Sequence, residues 1–230
     1  MKFDQKLVSG KLIKRYKRFL TDVELEDGSI VVAHCTNSGT MKSCLEEGAP
    51  VLLSPAKDPK RKTRFTWETI YINGGWIGIN TIIPNQLVYE AVKNNEIVGL
   101  ENYTNVRREV KFEDSRLDVF AENENEKCFI EVKNVTMKVG DAALFPDAVT
   151  TRGLKHLETL IRIKKQGMRA VMVYVIQRMD VDSFGVAKHI DPKYAEALQR
   201  AIDQGVEVFP IQAEVSPLGI ELKKKLPVNI

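Results

Sequence analysis

Two acidic residues and a lysine in neighbouring short segments have the types and spacing for metal-assisted phosphate chemistry. In Cys128-Phe129-Ile130-Glu131-Val132-Lys133, strand alternation puts Cys128, Ile130 and Val132 on one face and Glu131 with Lys133 on the other. Across the polar turn Ala121-Glu122-Asn123-Glu124-Asn125-Glu126 lies Arg116-Leu117-Asp118-Val119. Here Leu117 and Val119 are expected to point one way, Arg116 and Asp118 the other, so Asp118 faces Glu131 across the hairpin. Two like charges so placed are destabilising unless something cationic lies between them, and a divalent metal is the economical answer. Mg²⁺ prefers hard oxygen ligands, which Asp118, Glu131 and the Val132 carbonyl could supply, with water and a phosphate completing the octahedron. The ion would make a water more acidic and offset charge on the phosphate, while Lys133 orients or deprotonates that water or stabilises the oxyanion. The plainer alternative is a surface hairpin with a solvated Glu131–Lys133 pair.

Such residues need a rigid sheet behind them, and the chain is long enough to build one. It has 230 residues, 43% hydrophobic and 28% charged, with a formal net charge of +3. That composition excludes disorder, and the longest purely apolar run, Ala170 to Ile176, is too short to span a membrane. The N-terminus has no apolar stretch of the secretory type, and three cysteines cannot form a disulfide framework, so the expected location is the cytoplasm. The charge is uneven. Residues 1–80 carry 13 basic and 9 acidic residues, the rest 21 and 22. The excess lies mainly in Lys14-Arg15-Tyr16-Lys17-Arg18-Phe19 and in residues 57–64, which points towards a polyanion.

The first third reads as short strands: Leu12 to Leu25, Ile30 to His34, Pro50 to Ser54, Arg64 to Ile72 and Trp76 to Ile79. The last two are joined by the hairpin signal Asn73-Gly74-Gly75. Five strands in so short a span suggest a small, closed or nearly closed β-barrel. After Asn80 the pattern changes to a helix from Pro84 to Asn94, the 115–134 hairpin, a helix over 150–166 ended by Gly167, and the apolar strand Arg169 to Ile176. A helix opened by Asp191-Pro192 and ended by Gly205 follows, then a last strand from Val206 to Ile211. Two domains are expected, 1–80 and 81–230, the second a mixed sheet flanked by helices.

Other candidate groups follow from residue type. The basic-aromatic strand Lys14 to Phe19 suits nucleic acid, with Tyr16 or Phe19 able to stack on a base. The barrel would hold DNA through Arg15, Lys17, Arg18, Lys60, Arg61 and Arg64. Arg152, Lys155 and His156, within about one helical turn, could face a phosphate, while Asp147 and Thr150 could cap the helix. His34, Cys35 and Cys44 could bind zinc only if the distant Cys128 joined them, and buried hydrophobes explain these cysteines better.

Several stretches resemble the sugar fermentation stimulation protein A (SfsA) family. They are Leu12 to Leu20, His34-Cys35, Glu131-Val132-Lys133-Asn134-Val135-Thr136, Phe145 to Thr150, Arg152-Gly153 with Lys155-His156-Leu157, and Ile190 to Ala195. The family's Asn-Thr-Gly-x-Met-x-Gly-Cys is altered here at Ser38 and Ser43, and Pro84 replaces a small residue. The resemblance covers essentially the whole chain and implies an N-terminal OB-type barrel, a C-terminal PD-(D/E)xK nuclease-like domain, and DNA as partner, with Mg²⁺ or Mn²⁺ as cofactor. By that analogy Asp118, Glu131 and Lys133 fall on the nuclease motif, and Glu90 on the supporting acid of the first helix. Many nucleases of this fold act as dimers, so a homodimer is compatible with the resemblance. It also admits a non-catalytic DNA-binding regulator that keeps the fold, or an RNA-binding role for the basic patches.

Overall fold

A computed structural model describes residues 1–229. The alternating pattern of the first third becomes β1 (Val8–Tyr16), β2 (Leu20–Leu25), β3 (Ile30–His34), β4 (Pro50–Pro55), β5 (Phe65–Ile72) and β6 (Gly75–Gly78), in the spatial order β3-β2-β1-β4-β5-β6. A parallel pairing of β3 with β5, Ala33 opposite Phe65, closes the first five into a barrel, and β6 continues the sheet beyond the closure. Leu12, Val23, Ala33, Val51, Leu53, Trp67 and Ile70 fill it, together with Cys35 and Cys44. The expected strand Leu12 to Leu25 is two. Lys17 and Arg18 adopt φ of 49° and 65°, and Tyr16 pairs with Leu20 across the turn. No glycine, asparagine or proline marks that turn, so its residue types do not signal it.

The second domain is layered. Its sheet runs β15-β14-β12-β9-β8-β7, from β7 (Asn105–Phe112), β8 (Ser115–Glu122), β9 (Lys127–Val135), β12 (Arg169–Ile176), β14 (Glu207–Ser216) and β15 (Gly219–Lys225). β9, β12 and β14 are parallel and the outer pairs antiparallel. Helix α1 (Ile83–Lys93) buries Leu87, Val88, Ala91 and Val92 against one face, with Val119, Ile130 and Val132. Helices α2 (Thr151–Lys165) and α3 (Pro192–Asp203) cover the other, with Phe120, Phe129 and Met172. β12 is therefore buried on both sides, as its unbroken apolar run requires. A second sheet joins β10 (Met137–Val139), β11 (Ala142–Phe145), β13 (Ser183–Val186) and β16 (Val228–Asn229).

Local chemistry sets the helix ends. The Thr150 hydroxyl accepts from the Gly153 amide at 3.0 Å, and the Asp191 carboxylate accepts from the Tyr194 amide at 3.0 Å. Asp147, read as a further cap, instead accepts from the amide of Met41 in the barrel. The α2 and α3 helices stop before Gly167 and Gly205, whose φ of 80° and 85° other residues adopt only with strain. The two domains are bolted together. Arg178, fully buried, forks onto Asp180 and donates to the Thr136 carbonyl, which also accepts from Ser43.

Candidate active site

The site lies where two strands separate. The β8–β9 ladder runs from Glu122 opposite Lys127 to Val119 opposite Ile130. One step further the strands fork, and the amide of Val132 donates to the Asp118 carboxylate at 2.8 Å instead of to a β8 carbonyl. The alternation expected for β8 breaks at the same place. Val119 joins the core under α1, whereas Leu117 joins Phe120 in the core under α2 and α3, so Leu117 and Val119 do not share a face. Glu109, beside this break on β7, has φ of 55°. The expected face of β9 is present: Cys128, Ile130 and Val132 pack together and Glu131 points to the opposite side, towards α2.

Glu131 is 1% exposed and its carboxylate is gripped from two directions. The Lys133 ammonium lies 2.5 Å from Oε1, and His156 on α2 presents Nδ1 to the same oxygen. Burial alone would push this carboxyl up, but Lys133 and His156 outweigh it and hold the pKa below its ordinary value. The second oxygen, Oε2, is buried without a partner. Asp118 takes the opposite shift. Burial and the nearby Glu131 charge push it up to about 7, against the opposing pull of the Val132 amide and Lys133. Its Oδ1 accepts from the Asn85 side-chain amide at 2.6 Å.

Above these groups is a cavity of about 400 Å³, with Asp118, Glu131, Lys133 and Asn134 on one wall, Arg18 and residues 36–39 of the barrel on another, and 144–150 with Arg152 on a third. Asp118, Glu131, Lys133, Arg18 and Arg152 thus converge. The other expected residues do not. Arg15 is committed to the barrel loop, donating to the carbonyls of Arg18, Asn37 and Gly39. Lys17 is exposed in the turn beside Arg18. Arg61 lines a separate cavity near the N-terminus, and Lys60 and Arg64 lie on the same remote loop. Lys155 pairs with Asp114 outside the cavity. His156 is 5% exposed and meets Glu131, so it serves the acid rather than a phosphate. Glu90 accepts from Gln86 and does not line the cavity; Asn85, five residues earlier on α1, holds Asp118 instead. Asn85 follows Pro84 in a first helical turn, where nothing in the sequence singles it out.

Among the described residues no group of three or more His, Cys, Asp and Glu is arranged to hold a metal. The donor set that lines the cavity is the two carboxylates of Asp118 and Glu131, with one Glu131 oxygen buried and unpartnered. That set fits a hard divalent cation that keeps several waters and completes its shell with phosphate oxygens. It does not fit zinc, since Cys35 and Cys44 lie in the barrel core and Cys128 in the core under α1.

Comparison with known proteins agrees over the whole chain. Residues 82–219 match the sugar fermentation stimulation protein RE domain, and residues 13–79 match the SfsA N-terminal OB domain. A sugar fermentation stimulation protein homolog of Pelobacter propionicus is 49% identical over 223 residues, covering 96% of this chain and 97% of the relative. One from Geobacter metallireducens is 46% identical over 230 residues, covering 99% of each. A structure of Pyrococcus furiosus SfsA in complex with Ca²⁺ superimposes with a TM-score of 0.91 at 26% identity, covering 100% of this chain and 98% of that one. With both domains matched and nearly half the residues shared with full-length relatives, the chain belongs to the sugar fermentation stimulation protein family.

Proposed function

We propose that this protein binds DNA and hydrolyses its phosphodiester bonds with Mg²⁺ or Mn²⁺. The observation that carries the reading is the fork itself: Asp118 and Glu131 repel one another at the base of a cavity, one Glu131 oxygen is buried unpartnered, and Lys133 lies 2.5 Å from the other. Like charges held this close are costly unless a cation joins them. The Ca²⁺ in the related Pyrococcus furiosus structure supports a divalent ion in this family.

Asp118, Glu131 and the Val132 carbonyl would hold the ion, which when bound supplies a Lewis acid for the phosphate and a more acidic water. Lys133 is placed to orient that water and to stabilise charge gathering on the phosphate oxygens. Asn85 and the Val132 amide fix the Asp118 carboxylate, and His156 fixes Glu131. Arg18 and Arg152 line the walls and would take the neighbouring phosphates, with Lys17 beside them. Lys60, Arg61 and Arg64 form a second basic area that would hold DNA farther along.

One observation favours a non-catalytic DNA-binding protein: Lys133 pairs with the Glu131 carboxylate and His156 meets the same oxygen, so the acid is already held without a metal. Substituting Lys133→Met separates the readings. Under the proposal the variant retains Mn²⁺-dependent binding of labelled DNA but cuts it at least about a hundred-fold more slowly, a typical loss for a general acid-base group. Wild-type protein that binds DNA without cutting it, in Mn²⁺ and in Mg²⁺, leaves the second reading.

A further inference from the structure

We infer that a second cavity, on the outer face of the barrel, binds a small zwitterion, with a protonated amine on Glu68 and a carboxylate or phosphate on Arg61. The cavity measures about 470 Å³, and its walls come from the N-terminal segment, the end of β4 with the loop after it, β5 and the start of α1. On β5 the alternation turns Trp67 into the barrel core and leaves Thr66 and Glu68 on the opposite face. Both line the cavity, beside Ser54, which is paired with Thr66 across the ladder. Segment 80–86 contributes to this cavity and to the one lined by Asp118, but with different residues: Asn80, Ile83 and Gln86 here, Thr81 and Asn85 there.

Glu68 is 5% exposed. The Ser54 hydroxyl donates to its Oε1 at 2.6 Å and the Asn80 side-chain amide to its Oε2 at 2.9 Å, so neutral donors hold the carboxylate in place. Each oxygen can accept a further bond. Arg61 is half-buried and likewise meets neutral groups. Its guanidinium donates to the hydroxyls of Thr66 and Thr63, both at 3.1 Å, and to the Phe65 carbonyl at 3.4 Å. Among the described residues neither group forms an ion pair, with the other or with any third group. Burial pushes the Glu68 carboxyl up, and the Arg61 charge opposes this without cancelling it. A buried charge is costly unless it is paired.

An acid and a base that line one cavity without pairing leave a place for a molecule that carries both opposite charges. A simple cation is repelled by Arg61 and a simple anion by Glu68, whereas a zwitterion meets each with its counter-charge. The volume falls within the roughly 300–1,000 Å³ that suits one small ligand. Phe3, Leu7 and Ile83 supply apolar wall for a carbon skeleton. The other charges on the wall compete little, since Lys57 is paired with Asp4 at 2.7 Å. The N-terminal wall is anchored without any ligand: the Phe3 amide donates to the Leu218 carbonyl at 3.1 Å, and the Gln5 side chain to the Pro55 carbonyl at 2.6 Å. Lys60 and Arg64, exposed on the same loop as Arg61, stay available to DNA.

The test uses the full chain in EDTA and without DNA, so its failure leaves the cleavage reading standing, and a failure of cleavage leaves this inference standing. The probes are the common α-amino acids, one at a time, for a carboxylate partner, and O-phosphoethanolamine for a phosphate. We expect at least one of them, at ten times its Kd, to raise Tm by about 3–6 °C in differential scanning fluorimetry. Its N-acetylated form, which lacks the cationic charge, should have no effect. By isothermal titration calorimetry, Glu68→Gln and Arg61→Gln should each weaken binding at least about ten-fold. Glu68→Gln keeps the shape of the side chain; should it fail to fold, Arg61→Gln and the N-acetylated ligand carry the test. No change in Tm with any probe at millimolar concentration, or binding that either folded variant retains in full, overturns the inference. Glu68 and Arg61 are then packing groups between the barrel and the N-terminal segment.

Discussion

Replacing Asp118 by Asn should stabilise the metal-free protein above neutral pH and destabilise it in acid. The Asp118 carboxyl is raised from 3.8 to about 7, first by burial and then by the Glu131 charge. At about 1.36 kcal/mol per pKa unit, that is a penalty of roughly 4 kcal/mol for ionising it in the folded state. The unfolded chain releases this proton near pH 4 and the folded chain near 7. Between those values the native state holds more protons, so stability falls as pH rises through the window and levels off above it. Asn carries no charge, but it turns an amide N–H₂ towards either Asn85 or the Val132 amide, at a cost of about 1–2 kcal/mol. The net gain at pH 8 is then about 2 kcal/mol, or a rise in Tm of about 4–8 °C for a chain of this size. At pH 5 the folded carboxyl is largely protonated while the unfolded one is still ionised, so roughly 1.6 kcal/mol of the penalty remains, about what the amide costs, and the two proteins are nearly equal; below about pH 4 the penalty vanishes and Asn is the less stable residue. Glu131 does not disturb this window: burial would raise its carboxyl, yet Lys133 and His156 hold it low, so its contribution is lost only below the ordinary glutamate range. The assay is differential scanning fluorimetry of both proteins in EDTA at pH 5 and pH 8, repeated with Mn²⁺. An ion at one hundred times its Kd adds roughly 2.7 kcal/mol to the wild type, and the variant should lose most of that gain. A variant less stable than wild type by the same amount at both pH values would refute the argument that Asp118 and Glu131 repel each other.

Three further outcomes follow from the packing around the site. His156→Ala leaves buried Glu131 with one partner fewer and should cost about 2–4 kcal/mol, read by thermal denaturation at neutral pH. Glu90→Gln should leave Mn²⁺ affinity by isothermal titration calorimetry unchanged, while Asn85→Ala, which frees Asp118 on one side, should lower it about ten-fold; the reverse pattern would restore Glu90 to the site. Arg178→Met strips the buried fork from Asp180 and the donor from Thr136, and should cost about 3–5 kcal/mol by urea denaturation.

What the sequence disclosed and what it concealed have physical reasons. Glu131 and Lys133 are legible because β9 is a regular strand whose two faces alternate, Cys128, Ile130 and Val132 packing under α1 and Phe129 with Glu131 towards α2, and period-two alternation is reliable there. Asp118 was found by residue type, but not its setting, because the alternation of β8 fails where it leaves β9. The turn at Lys17 and Arg18 was hidden, since both residues take positive φ without any of the types that favour it. β7 was missed for a related reason: Asn105-Val106-Arg107-Arg108-Glu109-Val110-Lys111-Phe112 is an edge strand, mostly exposed and charged, with little apolar pattern to read. The role of His156 was available in principle. It lies four residues before Leu160 and beside Leu157, on the buried stripe of α2, so helical phase alone places it inside. Asn85 and the Asp147 contact with the barrel could not be anticipated, because both depend on how distant segments dock.

The central claim is that the acids at the fork serve metal-dependent cleavage of DNA. Its most direct measurement is the cutting of labelled DNA, single- and double-stranded, by wild-type protein and by Glu131→Ala, in Mn²⁺, in Mg²⁺ and in EDTA. The expected result is cleavage by the wild type that needs the metal and is lost in the variant. Binding without cutting, equal in both proteins whatever the metal, would contradict it and leave the Asp118–Glu131–Lys133 cluster as part of the scaffold.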